Sequence, residues 1–301
     1  MSDLRTILLI PHLKIQNANA LSSPYTIGFP AMTAWLGAVH ALQRKLNQAG
    51  FENLKFKSVG VACHDLNLQT HKGRGDYVHS IISTGNPLDK DGSRPAFIEE
   101  ARCHLDVSLI VECENLPCDE SEFLHALPTH LHRLKIAGGD ILDFSEVDIF
   151  KIDDEATRRA LMRNLMPSYV IIERRELMIE AHPPQPPFEG GRKIDAIDML
   201  LDYLTVKHRS IQTESGGEWS QKRKTSGWIV PIATGFQGIS ALGKAENQRD
   251  LTTPHRFAES VVTLGEFIMP HRIKTLDRML WQYHVDLEND LYLCKNLPIS
   301  K

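Results

Sequence analysis

Residues 7 to 15 form an apolar run that breaks off into amides and hydroxyls: Ile15-Gln16-Asn17-Ala18-Asn19-Ala20-Leu21-Ser22-Ser23-Pro24. The run reads as a β-strand, and its second half has two unlike faces. Leu13 and Ile15 alternate with His12, Lys14 and Gln16, so one side faces a core and the other carries polar groups. A buried polar group left unpaired costs roughly 1–3 kcal/mol, so something polar is expected to meet this edge. A helix follows at once. Pro30 suits its first turn, Trp35, Val39, Leu42 and Leu46 recur at helical spacing, and Gly50 marks the stop.

The pattern continues with two more strands. Phe56 to Leu68 is one, with Val59, Val61 and Cys63 on one side. In the other, Leu105, Val107, Leu109 and Val111 point one way and His104, Asp106 and Ser108 the other. Between them, 71–100 is a long polar excursion punctuated by turn residues, and Tyr77 to Ile82 is expected to form one arm of a projecting hairpin. A helix is predicted from Ser121 to Ile136, ending at Gly138-Gly139, and a strand from Ile141 to Phe150. Strand, helix, two strands, helix, strand is the order of a ferredoxin-like, RNA-recognition-type sheet, which presents RNA on an open face.

The texture then changes. A helix capped by Asp153-Asp154-Glu155 runs to Pro167, a Pro-rich connector spans 182–191, and a second helix covers Ile194 to Val206. A polar loop is expected over 210–226, a strand at Trp228 to Ile232, a helix at Ile273 to Trp281 and a strand-like tail at Tyr283 to Cys294. The fold class is therefore α/β in the α+β sense. Residues 1–150 make the first domain, 151–215 a helical insertion, and 216–301 a part returning to the body.

Composition narrows the function classes. At 301 residues with 42 % hydrophobic and 24 % charged content, the chain reads as an ordinary globular protein. No run reaches the roughly 18 apolar residues of a membrane span, and the interrupted N-terminal segment does not read as a signal peptide. A cytoplasmic protein is expected. Five scattered cysteines argue for reduced thiols rather than a disulfide framework. The net charge of −4 argues against coating nucleic acid by charge alone but leaves room for local basic patches. Such patches are present at Arg158, Arg159, Arg163, Arg174 and Arg175, and at Lys222-Arg223-Lys224. Each suits either phosphate contact or a solvated surface.

Other constellations stay open between readings. His255-Arg256-Phe257 offers two donors and a stacking ring for a single-stranded base, or the start of a helix. Gly138-Gly139 gives bare amides that can approach a phosphate, or a helix stop. Cys113, Cys118, His130 and His132 lack zinc-finger spacing, so no metal and no cofactor is expected. His104, Asp106 and Ser108 line one strand, whereas a hydrolase triad converges from several elements. An RNA-cutting protein of this shape needs a histidine base. His12, His40 and His255 are available and spacing favours none of them.

Several separated motifs resemble one family. They are Ile15 to Ala20 with Ser22-Ser23-Pro24 and Gly28-Phe29-Pro30; Val39 to Arg44; Asn86-Pro87-Leu88 and Asp91-Gly92-Ser93; and Glu99-Glu100 leading through Arg102 and His104-Leu105 to Val107-Ser108-Leu109. Leu134 to Gly139, Gly227-Trp228, Val230-Pro231-Ile232, and Arg256-Phe257 with Leu264-Gly265-Glu266 complete the set. In order and coverage the chain resembles the Csy-type RAMP subunit that binds the CRISPR RNA 5′ handle in the type I-F CRISPR surveillance complex (Cascade). That resemblance implies a RAMP-type ferredoxin-like sheet with a thumb at about 71–100. It implies a non-catalytic protein of antiviral defence that holds the handle and pairs with the large subunit. It also implies a neighbouring backbone RAMP subunit, target DNA met only through the complex, and exposure to phage anti-CRISPR proteins.

Under the resemblance the RNA-binding residues are Asn17, Asn19, Ser22, His40, Gln43, Arg44, Arg102, Gly138, Gly139, His255, Arg256 and Phe257. The Pro-rich connector and the Lys222 cluster match no family motif. Two other readings stand beside this one: a metal-independent endoribonuclease of the same fold, and a purely structural scaffold.

Overall fold

A computed structural model describes residues 4–82, 87–94, 100–180, 195–213, 216–248 and 250–296. Its main sheet has eleven strands among the described residues. They are β1 (Arg5–Asn19), β2 (Lys55–Leu68), β3 (Arg102–Glu114), β4 (Lys135–Ile136), β5 (Gly139–Asp143), β6 (Asp148–Ile152), β7 (Tyr169–Glu173), β8 (Trp228–Gly238), β9 (Ala258–Ile268), β10 (Trp281–Asp286) and β11 (Leu291–Asn296). The helices are α1 (Met32–Gln48), α2 (Glu120–Leu131), α3 (Glu155–Asn164), α4 (Glu176–Glu180) and α5 (Ala196–Leu204).

The strand order is β7-β9-β8-β11-β10-β2-β3-β1-β5-β4, with β6 also paired to β1 and β7 also paired to β2. All named pairings are antiparallel. The architecture is α+β, dominated by an antiparallel sheet. Because β7 and β10 both reach β2, the pairings β2-β7-β9-β8-β11-β10 close back onto β2. The C-terminal strands are thereby locked to the N-terminal half.

Two cores lie on opposite faces of β1, β2 and β3. On one face Trp35, Leu42 and Leu46 of α1 and Phe123 and Leu127 of α2 pack against Leu8, Ile10, Leu13, Ile15, Val107 and Leu109. This core runs the length of β1. On the other face Ile7, Leu9, Ala62 and Ile110 pack against Leu161 and Met162 of α3, Leu165, and Leu276 and Met279. That second layer stops half-way. Ile7 to Ile10 are buried on both faces, whereas Lys14, Gln16, Asn17 and Asn19 are exposed. The sheet face expected to be open is therefore open only over its Lys14 to Asn19 half.

Backbone irregularities explain where the sequence-based boundaries shift. The single strand expected over 141–150 is two, β5 and β6, which pair with Lys14–Gln16 and Arg5–Leu9 of β1. Between them the N–H of Ser145 donates to the carbonyl of Pro11 at 2.9 Å, beside a bulge in β1. The bulge breaks the partner strand. The helix expected to reach Ile136 ends at Leu131. Ala137 and Gly138 have φ of 50° and 76° and form a two-residue turn between β4 and β5, as two left-handed residues favour.

The loop expected over 210–226 is largely a ribbon of Lys207–Thr213 and Gly216–Lys222. Its polar residues gave no apolar alternation by which to see it. The helix expected at 273–281 is two 3₁₀ turns, Pro270–Arg272 and Leu276–Arg278, followed by β10. Met279 and Leu280 enter the second core while Trp281 turns into the first, which one helical face cannot do.

The stretch 151–215 holds α3, α4 and α5 but also β7, a member of the main sheet. The connector at 182–191 lies outside the described residues, as do 83–86 and 95–99 of the excursion at 71–100. That excursion begins with a short ladder, Thr70–His71 against Ser80–Ile81, and its Tyr77 is 97 % exposed.

Candidate nucleic-acid interface

The open half of the sheet ends in a built edge. Asn17 has φ 61° and sits where the β1–β3 register shifts between Ile15 and Ala18. Its backbone N–H donates to Nδ1 of His104 at 3.0 Å. An imidazole that accepts at Nδ1 carries its proton on Nε2, so His104 offers a donor from its other side. His104, Lys14 and Gln16 belong to the polar face of the strands, and neither composition nor motif spacing had singled out these three as site residues.

The glycines fit against this bulge. A Cβ on Gly139 would lie 2.7 Å from the Gln16 carbonyl oxygen and 2.8 Å from the Ala18 nitrogen, so β5 approaches β1 too closely for any side chain. A Cβ on Gly138 would meet only Nη1 of Arg102, at 3.9 Å. The pair is thus neither a helix stop nor an isolated loop. Gly138 is the second residue of the Ala137-Gly138 hairpin turn and sets bare backbone beside the Arg102 guanidinium, and Gly139 opens β5. Arg102 also holds Glu100 at 2.5 Å, and the N–H of Asn19 donates to the carbonyl of Ala137 in the same turn at 2.8 Å.

Asn19 spends its amide locally, donating to the Leu21 carbonyl at 3.0 Å and accepting the Leu21 N–H at 3.1 Å. Ser22 Oγ lies 3.0 Å from Thr26 Oγ1 and braces the tight Leu21–Ile27 turn. Asn17, Asn19, Ser22, Arg102, Gly138 and Gly139 therefore gather at one end of the sheet.

The same turn reaches the C-terminal strands. Tyr25 Oη donates to the Ser260 carbonyl at 3.3 Å, and Phe257 lies three residues before Ser260, roughly 10 Å along the chain. The Phe257 ring is 73 % exposed although its backbone is pinned by the Ser240 hydroxyl at 2.8 Å. His255 Nδ1 donates to the Thr253 carbonyl at 2.7 Å. Arg256 is ion-paired with Asp290, and its Nε is buried.

His40, Gln43 and Arg44 are elsewhere. Gln43 Oε1 accepts the Phe56 N–H at 2.7 Å, and Phe56 pairs with Cys113, whereas Leu68 pairs with Cys103 near the Asn17 edge. Ten strand residues separate those levels, roughly 33 Å. His40 and Gln43 instead line a cavity of about 350 Å³ with Lys55, Lys57 and Glu114.

Most clustered arginines are committed to acids. Arg158 and Arg159 hold Glu155 at 2.6 and 2.9 Å, Arg174 holds Glu176 and Glu266, and Arg175 holds Glu173. Lys224 pairs with Asp202 at 2.8 Å and lies over the Tyr203 ring. The cysteines carry no disulfide, and burial pushes the Cys63 thiol up to about 12 and the Cys103 thiol to about 11. The Cys63 and Cys103 thiols therefore stay protonated near neutrality.

The family model described as CRISPR-associated protein (Cas_Csy2) matches residues 8–294. The CRISPR-associated protein Csy2 of Pseudomonas aeruginosa (strain UCBPP-PA14) is 34 % identical over 320 aligned positions, covering 97 % of this chain and 95 % of its own. No helix among the described residues is long and apolar enough to cross a membrane.

Proposed function

Because the chain belongs to the Cas_Csy2 family of CRISPR-associated proteins, we propose that it is a non-catalytic, cytoplasmic subunit of a type I-F surveillance complex that binds the 5′ handle of CRISPR RNA and pairs with the large subunit. The observation that carries this reading is the exposed half-face of β1, with Lys14, Gln16 and an outward-turned His104, ending at the Ala137-Gly138 turn beside Arg102. Single-stranded RNA is recognised by polar groups on an open sheet, by backbone donors near phosphates and by stacking on exposed rings. Phe257, which the Tyr25 turn ties to the same end of the molecule, supplies such a ring.

The strand order supports a RAMP-type, ferredoxin-like body. Taken in chain order as one to four, β1, β2, β3 and the β5/β6 pair lie in the spatial order four-one-three-two, with α1 and α2 on one face. Ion pairs occupy Arg102 at the sheet edge as well as the arginines near α3 and β7, so the edge is favoured by its exposed polar face and bare backbone. His40, Gln43 and Arg44, at the far end of α1, suit a protein contact or a remote part of the handle.

The test is to co-express the chain with its genomic neighbours, purify it and sequence any RNA that accompanies it. One population of short RNAs sharing a 5′ end, with neighbouring subunits attached, is expected. RNA-free protein would make the chain a scaffold, and heterogeneous fragments cut by the chain alone would make it an endoribonuclease.

A further inference from the structure

Where the covered and open halves of the sheet meet, three strands bring metal-binding side chains to one point. Among the described residues, His12 of β1, His64 of β2 and Asp106 of β3 each place a donor atom within 4.8 Å of the other two. Adjacent strands lie about 4.8 Å apart, so β1 and β2, with β3 between them, are separated by roughly 9.6 Å. The two imidazoles nevertheless stack with centroids 4.0 Å apart.

Two bulges bring this about. The β1–β3 register shifts between Ile10 and Leu13, and the β2–β3 register shifts between Cys63 and Asp65. His12 and His64 are the extra residues; His12 falls opposite Ser108 and Val107, and His64 opposite Val107 and Asp106. Bulges re-aim side chains and gather beside functional sites. His12 also holds φ 50°, a left-handed conformation that costs on the order of 1 kcal/mol and persists where the surroundings impose it. Beneath the rings lies Ser108, small enough to leave them room. Its Oγ accepts the His12 N–H at 3.2 Å and lies 2.7 Å from His64 Nε2.

His64 is set up as a ligand. Its Nδ1 is 2.8 Å from the Pro167 carbonyl oxygen, which only accepts, so the proton lies on Nδ1 and the Nε2 lone pair accepts the Ser108 hydroxyl, which must turn away for Nε2 to reach an ion. Donation of the outer ring N–H to a backbone carbonyl is the arrangement that fixes metal-binding imidazoles. Asp106 Oδ1 is 3.0 Å from His12 Nδ1. Hydrogen bonds to Pro167 and Ser108 hold His64, and Asp106 holds His12, but these bonds do not account for two neighbouring bulges on separate strands that turn both imidazoles and the carboxylate to one point. His12 and Asp106 keep 40 % and 27 % of their side chains exposed, so an ion can enter.

We propose that His12, His64 and Asp106 bind a divalent transition-metal ion of the zinc class, which ties β1, β2 and β3 together at the boundary between the two halves. Two imidazoles and a carboxylate suit zinc, and three protein ligands leave a further position for water or an anionic group. Zinc–ligand bonds of about 2.0–2.2 Å require the widest donor pair to close by about an ångström. Binding replaces the hydrogen bond between His12 Nδ1 and Asp106: the neutral ring carries its proton on Nε2 instead, which frees the Nδ1 lone pair for the ion.

The experiment uses the tag-free full chain after chelator treatment, with Co²⁺ as a spectroscopic probe and Zn²⁺ as competitor. One equivalent of Co²⁺ is expected to give visible bands of low-coordinate geometry, and Zn²⁺ to erase them while raising Tm. His12→Gln and Asp106→Asn, which keep polar groups in place, should each weaken Zn²⁺ binding by more than the roughly 10–100-fold typical of losing an outer-shell partner. Their metal-free Tm and circular dichroism should stay near those of the parent. A cobalt spectrum no different from the aqueous ion, with no zinc-dependent Tm change, overturns the proposal. Bands that persist unchanged in both variants overturn it too, since the ion then sits elsewhere.

Discussion

The two halves of β1 come from one strand and share one core on the α1 face, yet their other faces differ completely. From Ile7 to Ile10 every side chain is buried, because α3, the segment after it and the 3₁₀ turns near Leu276 cover the second face. From Leu13 to Asn19 the strand alternates, and its outward residues are polar. The first half is packed on both sides and the second leaves polar side chains uncovered. The division falls at the His12 bulge, where β5 and β6 also separate. The open half thus arises by leaving a layer off, not by adding one.

The sharpest way to break that contrast is to cut into the covered half. Ile110 is wholly buried and packs in the second core. Ile110→Ala should cost about 2–5 kcal/mol, read as a lower midpoint in urea, because the cavity is held open by two layers. The same truncation at Leu4, which is 60 % exposed, should change stability by less than about 0.5 kcal/mol. Equal losses would mean that the second layer is only loosely packed.

A smaller loss tests the charge network at the covered end. Glu112 accepts from Arg5 at 2.7 Å and from Ser58 Oγ at 2.7 Å, and Arg5 also holds Asp277 at 2.5 Å. Burial alone would raise the Glu112 carboxyl, but the Arg5 and Ser58 hydrogen bonds outweigh it and hold the carboxyl below its ordinary 4.5. A carboxylate depressed in the folded state stabilises above the unfolded value, and that stability is lost as pH falls through the folded one. Glu112→Gln should therefore cost roughly 1.5–3 kcal/mol near neutrality, with the difference from the parent shrinking below about pH 4.5. A pH-independent difference would show that charge is not what Glu112 contributes.

How far these halves were legible follows from their chemistry. Alternation exposed the late part of β1, along with α1, β2 and β3, because one face of each is apolar and the other is not. It failed for β7, where Val170, Ile171 and Ile172 are all buried and an unbroken apolar run has no face to read. It failed again at the 207–222 ribbon, where the polar residues supply no apolar face. The site was half legible. Asn17, Gly138 and Gly139 stand out as amides and glycines at the end of a strand, and the structure gathers them. The family motifs also brought in His40, Gln43 and Arg44, which the length of α1 carries to the other end. Alternation places Lys14 and His104 on polar faces, but their meeting at one edge and the convergence of His12, His64 and Asp106 depend on register and bulges, which no spacing in the chain records.

On the open side, the larger expected effect is at Phe257. Its ring is 73 % exposed, so Phe257→Ala should leave the urea midpoint alone while costing roughly 1–3 kcal/mol in RNA affinity if a base stacks there. A stable variant with unchanged affinity removes stacking from this edge and leaves the half-face of β1 to bind by polar contact only.

The finest test distinguishes polar contact from mere exposure along β1 itself. Lys14 and Gln16 point outward from the same strand, but only Lys14 can release a counterion from a phosphate. Plotting the logarithm of RNA affinity against that of salt, Lys14→Ala should lower the slope by about 0.7 for a single strand. Gln16→Ala should weaken binding with the slope unchanged. The two side chains are close neighbours on one face, so a difference in slope between them cannot come from a general change in fold. Identical slopes in both variants would mean that no phosphate lies over this part of β1. RNA would then meet the protein at the Arg102 turn and the C-terminal edge, and the uncovered half-face would be left for a protein neighbour.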